Sequence, residues 1–293
     1  MPDNIIFYFI FLSQIILISY YYPNQVMNRM KRVIAKYPPA EYPKLYPEST
    51  ATVVKGRRIF LTMNYVILVI GIILMFGYGL LSREYESTQK HAEGLPLFYG
   101  MLQVMPFMLI EFSGFKQFKL MRNANIRTTR LASLQRRNLF DFVSPILFGV
   151  AVLMFSGYVI FEFLMGQFES AADNDGIIRV VTLIICNLLF TVIIRFNLHG
   201  KKLNPHQAHD DRIRQISFTI KSLIVTSIFA SLFFIVTVTL REFNLEYLEI
   251  YANGLYFQFI ALISIGSLLK IIKIEDINFD VYKADLSATD PAN

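Results

Sequence analysis

The feature of this sequence that most limits its fold is a set of seven apolar runs, each close to the ~20 residues that a helix needs to cross a bilayer. Apolar residues make up 54% of the chain, more than a soluble core of this length requires. The sequence therefore predicts an all-α polytopic membrane protein, with one helical bundle over residues 1–273 and a short tail at 274–293. The predicted spans are residues 4–22, 59–81, 96–114, 139–164, 177–198, 216–240 and 250–272.

The basic residues predict the orientation of this bundle. Connections 23–58, 115–138 and 195–215 hold eight, seven and five lysines and arginines, and three more lie at or after the C-terminal end of the last run. The connections on the other side hold only Arg83, Lys90 and Arg241. Because basic loops stay in the cytoplasm, we expect the N-terminus outside and the C-terminus inside, in the inner membrane if the cell is bacterial. The net charge of +6 is then explained by anionic inner-leaflet lipid rather than by nucleic acid.

The connection at 23–58 contains a segment rich in Tyr-Pro pairs, residues 37–47. Proline removes backbone donors and biases the preceding residue toward extended conformations, so the segment is predicted to be a stiff ribbon of polyproline II type. Two roles remain open, a linker between the first two spans and a docking ribbon for a protein partner. The docking candidates are Tyr37, Pro38, Pro39, Tyr42, Pro43, Tyr46 and Pro47.

Two of the charged residues inside the apolar runs, where an unpaired charge costs several kcal/mol, could pair with each other. Glu111 is near the end of the third run and Lys221 near the start of the sixth, which places them at similar depth. We hypothesise that they form an ion pair, to which Asp141 at the start of the fourth run could contribute. In the alternative, Lys221 extends to the lipid phosphates and Glu111 to interfacial water.

Uncharged polar side chains also occur inside the runs. Such groups usually hydrogen-bond a neighbouring helix, although they are equally what a substrate pathway would contain. We therefore expect helix-to-helix contacts at these positions and keep transport as an alternative. The residues are Gln14, Asn64, Gln103, Asn187, Asn253 and Gln258.

One hydrophilic connection carries the residue types of a metal site. His199, His206, His209 and Asp210 all lie within residues 199–210. His206 and His209 are three residues apart, so they could share one face of a helix. A solvated loop followed by an acidic helix N-terminus explains the same residues. The single cysteine, Cys186, lies in an apolar run, which excludes an intramolecular disulfide or a cysteine-based zinc site.

The hydrophilic connections contain no nucleophile motif, no pair of catalytic carboxylates and no glycine-rich phosphate loop. The last run also lacks the central lysine that a retinal protein needs. The sequence thus favours a non-enzymatic protein that works by binding or assembly without a cofactor, as an accessory subunit or a membrane-embedded sensor with cytoplasmic partners. The alternatives are a small transporter or channel that uses the polar intramembrane residues, and a metal-dependent membrane enzyme.

Overall fold

The fold is a bundle of membrane-spanning helices. The computed structural model describes residues 2–84, 94–125, 137–165, 175–200 and 202–284, and every long element in these ranges is a helix. Within these ranges, seven helices are long and apolar enough to cross a membrane, so the predicted all-α integral membrane protein is confirmed. Span 1 consists of Pro2–Ile16, the π-helical turn Leu17–Tyr21 and Tyr22–Lys36. Spans 2 to 6 are, in order, Thr50–Glu84, Leu95–Ala124, Pro145–Leu164, Asp175–His199 and His209–Glu242. Span 7 consists of Glu249–Ala261, the π-helical turn Leu262–Gly266 and Ser267–Ile271.

Several helices extend beyond their apolar runs, which corrects two predicted boundaries. Span 1 continues through Pro23 to Lys36, and span 2 begins at Thr50. Of the predicted loop 23–58, only residues 37–49 therefore lie outside the two long helices. Proline normally interrupts a helix because it lacks an N–H. Here a π-helical turn precedes Pro23, with the N–H of Tyr22 bonded to the carbonyl of Leu17 five residues earlier, and the helix continues.

Span 4 begins later than predicted. Residues Leu139–Asp141 form a separate 3-10 turn, and the helix begins at Pro145, where proline is well tolerated. The Ser144 hydroxyl caps this helix by accepting a hydrogen bond from the N–H of Leu147 at 3.2 Å. The start of span 4 is therefore set by its cap rather than by the beginning of the apolar run.

The spans form two groups. Spans 1, 2, 3 and 7 pack around buried Phe7, Phe11, Ile67 and Tyr99, and we call them the four-span group. Spans 4, 5 and 6 pack around two further buried clusters and form the three-span group. The residues of those clusters are Phe142, Val143, Ala151, Leu198, Ile216, Ile220 and Ile224, and Tyr158, Leu183, Ala230 and Val238.

Spans 6 and 7 join the two groups along a seam. The rings of Phe233 and Tyr256 stack across it with centroids 4.4 Å apart, and Phe229 and Phe259 make a second ring contact at 5.8 Å. Aromatic pairs of this kind add stability beyond the area that they bury. The seam is thus closed by aromatic packing along this part of its length.

Three non-helical segments fold together at one end of the bundle, and we call them the cap: residues 37–49, 202–208 and 272–284. Tyr37 stacks on Phe279 with ring centroids 3.9 Å apart, and Tyr42 is buried beside Ile274 and Tyr282. Asn204 donates a hydrogen bond to the Tyr282 hydroxyl at 2.7 Å. The cap therefore ties the connection after span 1 to the segment after span 7.

The predicted polyproline II ribbon is wrong, because the Tyr-Pro segment folds into tight turns. The N–H groups of Glu41 and Tyr42 both bond to the carbonyl of Pro38, and Pro43–Leu45 is a 3-10 turn. The Tyr46 hydroxyl closes the segment by bonding to the carbonyl of Tyr37 at 2.7 Å. Burial of the tyrosines against the chain's own C-terminal segment outweighs the extended preference of the residues before proline.

Candidate functional site

The outward face of span 3 carries a stripe of large apolar side chains. They recur every three or four residues, the spacing of one helix face, and more than half of the surface of each is exposed. The opposite face packs into the four-span group through Tyr99, Gly100 and Gln103. We call the stripe together with Glu111 the span 3 face; its apolar members are Met101, Met105, Met108, Phe112 and Phe115.

Glu111 lies at the edge of this stripe, one turn before Phe115. It is the seventeenth residue of span 3, which places it ~24 Å along the helix axis from Leu95. Its side chain is exposed and forms no hydrogen bond or ion pair with any residue in the described ranges. The next cation along the helix, Lys116, instead contacts Glu48 at 3.5 Å. Glu111 is therefore a carboxylate on the outside of the bundle that no described residue neutralises.

The predicted ion pair of Glu111 with Lys221 is not present among the described residues. Span 3 packs chiefly against spans 2 and 7, whereas Lys221 lies on span 6, where it lines a groove toward span 7. Equal depth did not bring the two side chains together because their helices belong to different groups. Asp141 is engaged elsewhere, since its carboxylate accepts the N–H of Asn138 at 2.8 Å and caps a 3-10 turn.

A buried polar network joins spans 1 and 3. Gln14 donates to the Gln103 side-chain oxygen at 3.0 Å, and Gln103 donates to the Ser19 hydroxyl at 2.9 Å. The Tyr99 hydroxyl adds span 2 to the network by donating to the carbonyl of Ile67 at 3.0 Å. These groups act as helix-to-helix contacts, in the way expected for polar side chains in lipid.

Two of the other intramembrane amides also bond between spans, whereas Asn64 donates to the carbonyl of Phe60 on its own helix at 2.8 Å. Gln258 of span 7 donates to the carbonyl of Ile10 at 3.0 Å and accepts from Ser13. Asn187 of span 5 accepts from the Ser227 hydroxyl of span 6 at 2.5 Å. Asn253 is buried in span 7. The two amides with bonds between spans are thereby committed to holding the bundle together.

Two arginine–glutamate pairs lie at the end of the bundle opposite the cap. Arg179 Nη2 is 2.6 Å from Glu162 Oε1, and Arg241 Nε is 2.6 Å from Glu249 Oε1. Each pair joins the last turns of one span to the first turns of the next. Sequence reasoning missed both pairs, although an acid and an arginine on either side of a short connection was the signal that would have found them.

The four predicted metal-site residues are dispersed. No group of three or more His, Cys, Asp and Glu side chains converges within the part of the chain that the structure describes. His199 and His209 are exposed at helix ends, Asp210 lines the groove between spans 6 and 7, and the His206 ring lies 6.2 Å from that of Tyr282 in the cap. The helix N-terminus, which favours acidic residues, accounts for Asp210 and its neighbour Asp211.

The Tyr282 hydroxyl is the most strongly perturbed ionisable group of the cap. Burial raises its pKa to about 12, and the nearby Asp211 carboxylate acts in the same direction. The hydrogen bond from Asn204 acts in the opposite direction but is outweighed. The hydroxyl therefore remains protonated in the folded cap well above the pH at which a free tyrosine ionises.

The span 3 face is the described feature that most resembles a binding site, because it combines an exposed apolar stripe with a charge that no described residue neutralises. Comparison with protein-family models, with curated proteins and with solved structures finds no match.

Proposed function

We propose that this chain is a non-enzymatic integral membrane protein that acts by assembly, binding a transmembrane helix of a partner through the span 3 face. The observation that carries the proposal is Glu111, an exposed carboxylate within an apolar helix that forms no hydrogen bond or ion pair with a described residue. A charge at this depth is costly unless it is paired. A partner helix that offers a cation or a hydrogen-bond donor would compensate it.

The stripe beside Glu111 supports the same interpretation. Met101, Met105 and Met108 are unbranched and polarizable, so they adapt to a facing helix with little steric demand. In lipid, helices associate through packing and a few polar contacts rather than through the hydrophobic effect. The span 3 face supplies both elements, an adaptable surface and one polar group.

The alternative of a transporter or channel has less support. It depends on polar residues that face a pathway, whereas Gln14, Gln103, Asn187 and Gln258 are bonded between helices.

We further propose that the capped end faces the cytoplasm, in the inner membrane if the cell is bacterial, since the basic connections lie at that end. An accessory subunit with this orientation would present its cap to cytoplasmic partners.

The experiment that tests the proposal is site-specific photo-crosslinking in the native membrane. A photoreactive phenylalanine analogue replaces Met105, at the centre of the stripe, or Ile185, a similarly exposed residue of span 5. We expect one adduct of defined mass at position 105 and none at 185. Glu111→Gln should reduce the adduct at 105 about tenfold, which corresponds to a loss of about 1.4 kcal/mol of binding free energy.

The result that would contradict the proposal is equally defined. An adduct at 105 that survives Glu111→Gln unchanged would show that the carboxylate does not hold a partner. The same would follow from equal labelling at 105 and 185, because the span 3 face would then be ordinary lipid-exposed surface. Glu111→Asp serves as the matched control, since it keeps the charge and should keep part of the adduct.

A further inference from the structure

A groove opens at the seam between the two groups of spans, near the cap. It has a volume of about 590 Å³ and lies between span 6 and the second half of span 7. Its position is independent of the span 3 face and its residues differ. The lining consists of Asp210, Ile213, Arg214, Ser217, Phe218, Lys221, Ser222, Val225, Ile263, Ser267 and Ile271.

The polar side of the groove is a ladder on one face of span 6. Arg214, Ser217 and Lys221 follow one another at intervals of three and four residues, so their side chains share that face. The two cations are separated by two helical turns, ~10 Å along the axis. Ser267 adds a hydroxyl from span 7. Two cations and two hydroxyls are groups that bind phosphate oxygens.

The charge of Lys221 is not balanced within the described protein. Arg214 is turned toward the cap, where it bonds to the carbonyl of Asp276 at 3.1 Å and lies 3.8 Å from its carboxylate. Lys221 makes no ion pair or hydrogen bond with a described residue. The acidic residue of the lining, Asp210, is eleven residues away on the same helix, ~16 Å along the axis. An anion in the groove would therefore meet Lys221, which has no ion-pair partner among the described residues, and Arg214, which is already bonded to Asp276.

The groove continues from this polar ladder into an apolar part. Val225 of span 6 and Ile263 of span 7 line it farther from the cap. Ile263 belongs to the π-helical turn Leu262–Gly266, and such turns shift the face that a helix presents and recur at functional sites. The charged residues of the groove thus lie at its end near the cap, and beyond Lys221 the lining is uncharged. This arrangement follows the direction in which a phospholipid lies in a bilayer.

We propose that the groove binds one anionic phospholipid, with its phosphate at Lys221 and Ser217 and its acyl chains along Val225 and Ile263. Inorganic phosphate would occupy only the polar end and would leave the apolar end unused. A lipid anion also has ready access, because Lys221 is exposed at the edge of the bundle. Basic pockets between spans are a recurrent form of specific lipid recognition.

The test measures lipid retention by native mass spectrometry of the intact chain. Protein in mild detergent is titrated with phosphatidylglycerol or with phosphatidylcholine at equal concentrations. We expect one retained phosphatidylglycerol and at least a fivefold preference over phosphatidylcholine. Lys221→Met should reduce the retained phosphatidylglycerol about tenfold, whereas the matched change Lys119→Met, which removes an exposed cation from span 3, should leave it unchanged.

A second variant and a competition experiment also test the proposal. Val225→Phe fills the groove beyond Lys221 without altering the charge and should also reduce the retained phosphatidylglycerol severalfold. This variant tests the proposal if Lys221→Met fails to fold. Addition of inorganic phosphate should not displace the lipid. Equal retention by wild type, Lys221→Met and Val225→Phe would overturn the proposal, as would equal retention of the two lipids or full displacement by phosphate.

Discussion

Arg179 and Glu162 form an ion pair between spans 5 and 4 with 2.6 Å between Nη2 and Oε1, and the glutamate is completely buried. The contact lies where span 4 ends and span 5 begins, so it fixes the relative height of two helices that otherwise share few contacts. A buried pair is costly to form but more costly to break. Its expected role is to hold span 5, whose surface is mostly exposed, against the rest of the three-span group.

Glu162→Leu is therefore expected to destabilise the bundle by roughly 3–5 kcal/mol, because it leaves the Arg179 charge without its carboxylate partner in a poorly solvated position. The measurement is unfolding in mixed detergent micelles, followed by far-ultraviolet circular dichroism. The double substitution Glu162→Leu with Arg179→Met should recover part of the loss, since it removes both charges.

The control for this prediction is the exposed pair of Lys283 with Asp280, at 2.7 Å. Lys283→Met should leave the stability nearly unchanged, because exposed pairs contribute little. If Glu162→Leu were as mild as Lys283→Met, the buried pair would have no part in stabilising the three-span group.

The cap should open when the stacked ring contact between Tyr37 and Phe279 is removed. Phe279→Ala deletes one of the two rings and exposes the buried cluster around Tyr42, so trypsin should cleave after Lys44 severalfold faster. The matched control is Phe243→Ala, which removes an exposed ring at the opposite end of the bundle. Equal cleavage rates in wild type and Phe279→Ala would mean that the stacking does not hold the cap closed.

The existence of the spans could be predicted from the sequence, but their arrangement could not. Apolar length determines that a helix crosses the membrane, and counting residues gives the depth of Glu111 and Lys221. Which helices become neighbours is not visible, because lipid-facing and core-facing positions are equally apolar. Glu111 and Lys221 were therefore assigned to each other on depth alone, although span 3 packs chiefly on spans 2 and 7.

The Tyr-Pro segment shows a different reason for failure. Local rules predicted an extended ribbon from the prolines, and these rules consider only neighbours in sequence. The folded shape depends on Phe279 and Tyr282, more than 230 residues away. The docking role of Tyr37–Pro47 remains a prediction, but its buried members, such as Tyr42, are already occupied by the C-terminal segment.

The proposed orientation predicts opposite labelling of the two ends. In a Cys186→Ser background, Lys44→Cys places a thiol in the cap and Phe243→Cys places one at the opposite end. In intact cells, a membrane-impermeant maleimide should label position 243 and not position 44, whereas both should react after the membrane is disrupted. Labelling of position 44 alone in intact cells would show that the cap faces outward, opposite to the proposed orientation.

Alkaline pH should weaken the cap through Tyr282. The unfolded tyrosine ionises near pH 10 whereas burial holds the folded pKa at about 12, so between these values only the unfolded form has lost its proton. The stabilisation is complete below pH 10 and declines as the pH rises toward 12, by at most about 3 kcal/mol. Tyr282→Phe should remove this decline, as measured by detergent unfolding of the two proteins across the same range; an unchanged pH profile would contradict the assignment.

The close approach of span 2 to span 3 depends on Gly71. A Cβ atom at this position would lie 2.3 Å from the Tyr99 hydroxyl, which is held by its bond to the Ile67 carbonyl and its contact with Ser19. Gly71→Ala should therefore displace the Tyr99 ring and destabilise the bundle by about 1–3 kcal/mol. Gly77, on the same helix, has no atom within 4 Å of such a Cβ, so Gly77→Ala should be neutral or stabilise by up to about 1 kcal/mol. Detergent unfolding of the two variants gives the comparison, and equal stabilities would show that span 2 can move away from Tyr99 at no cost.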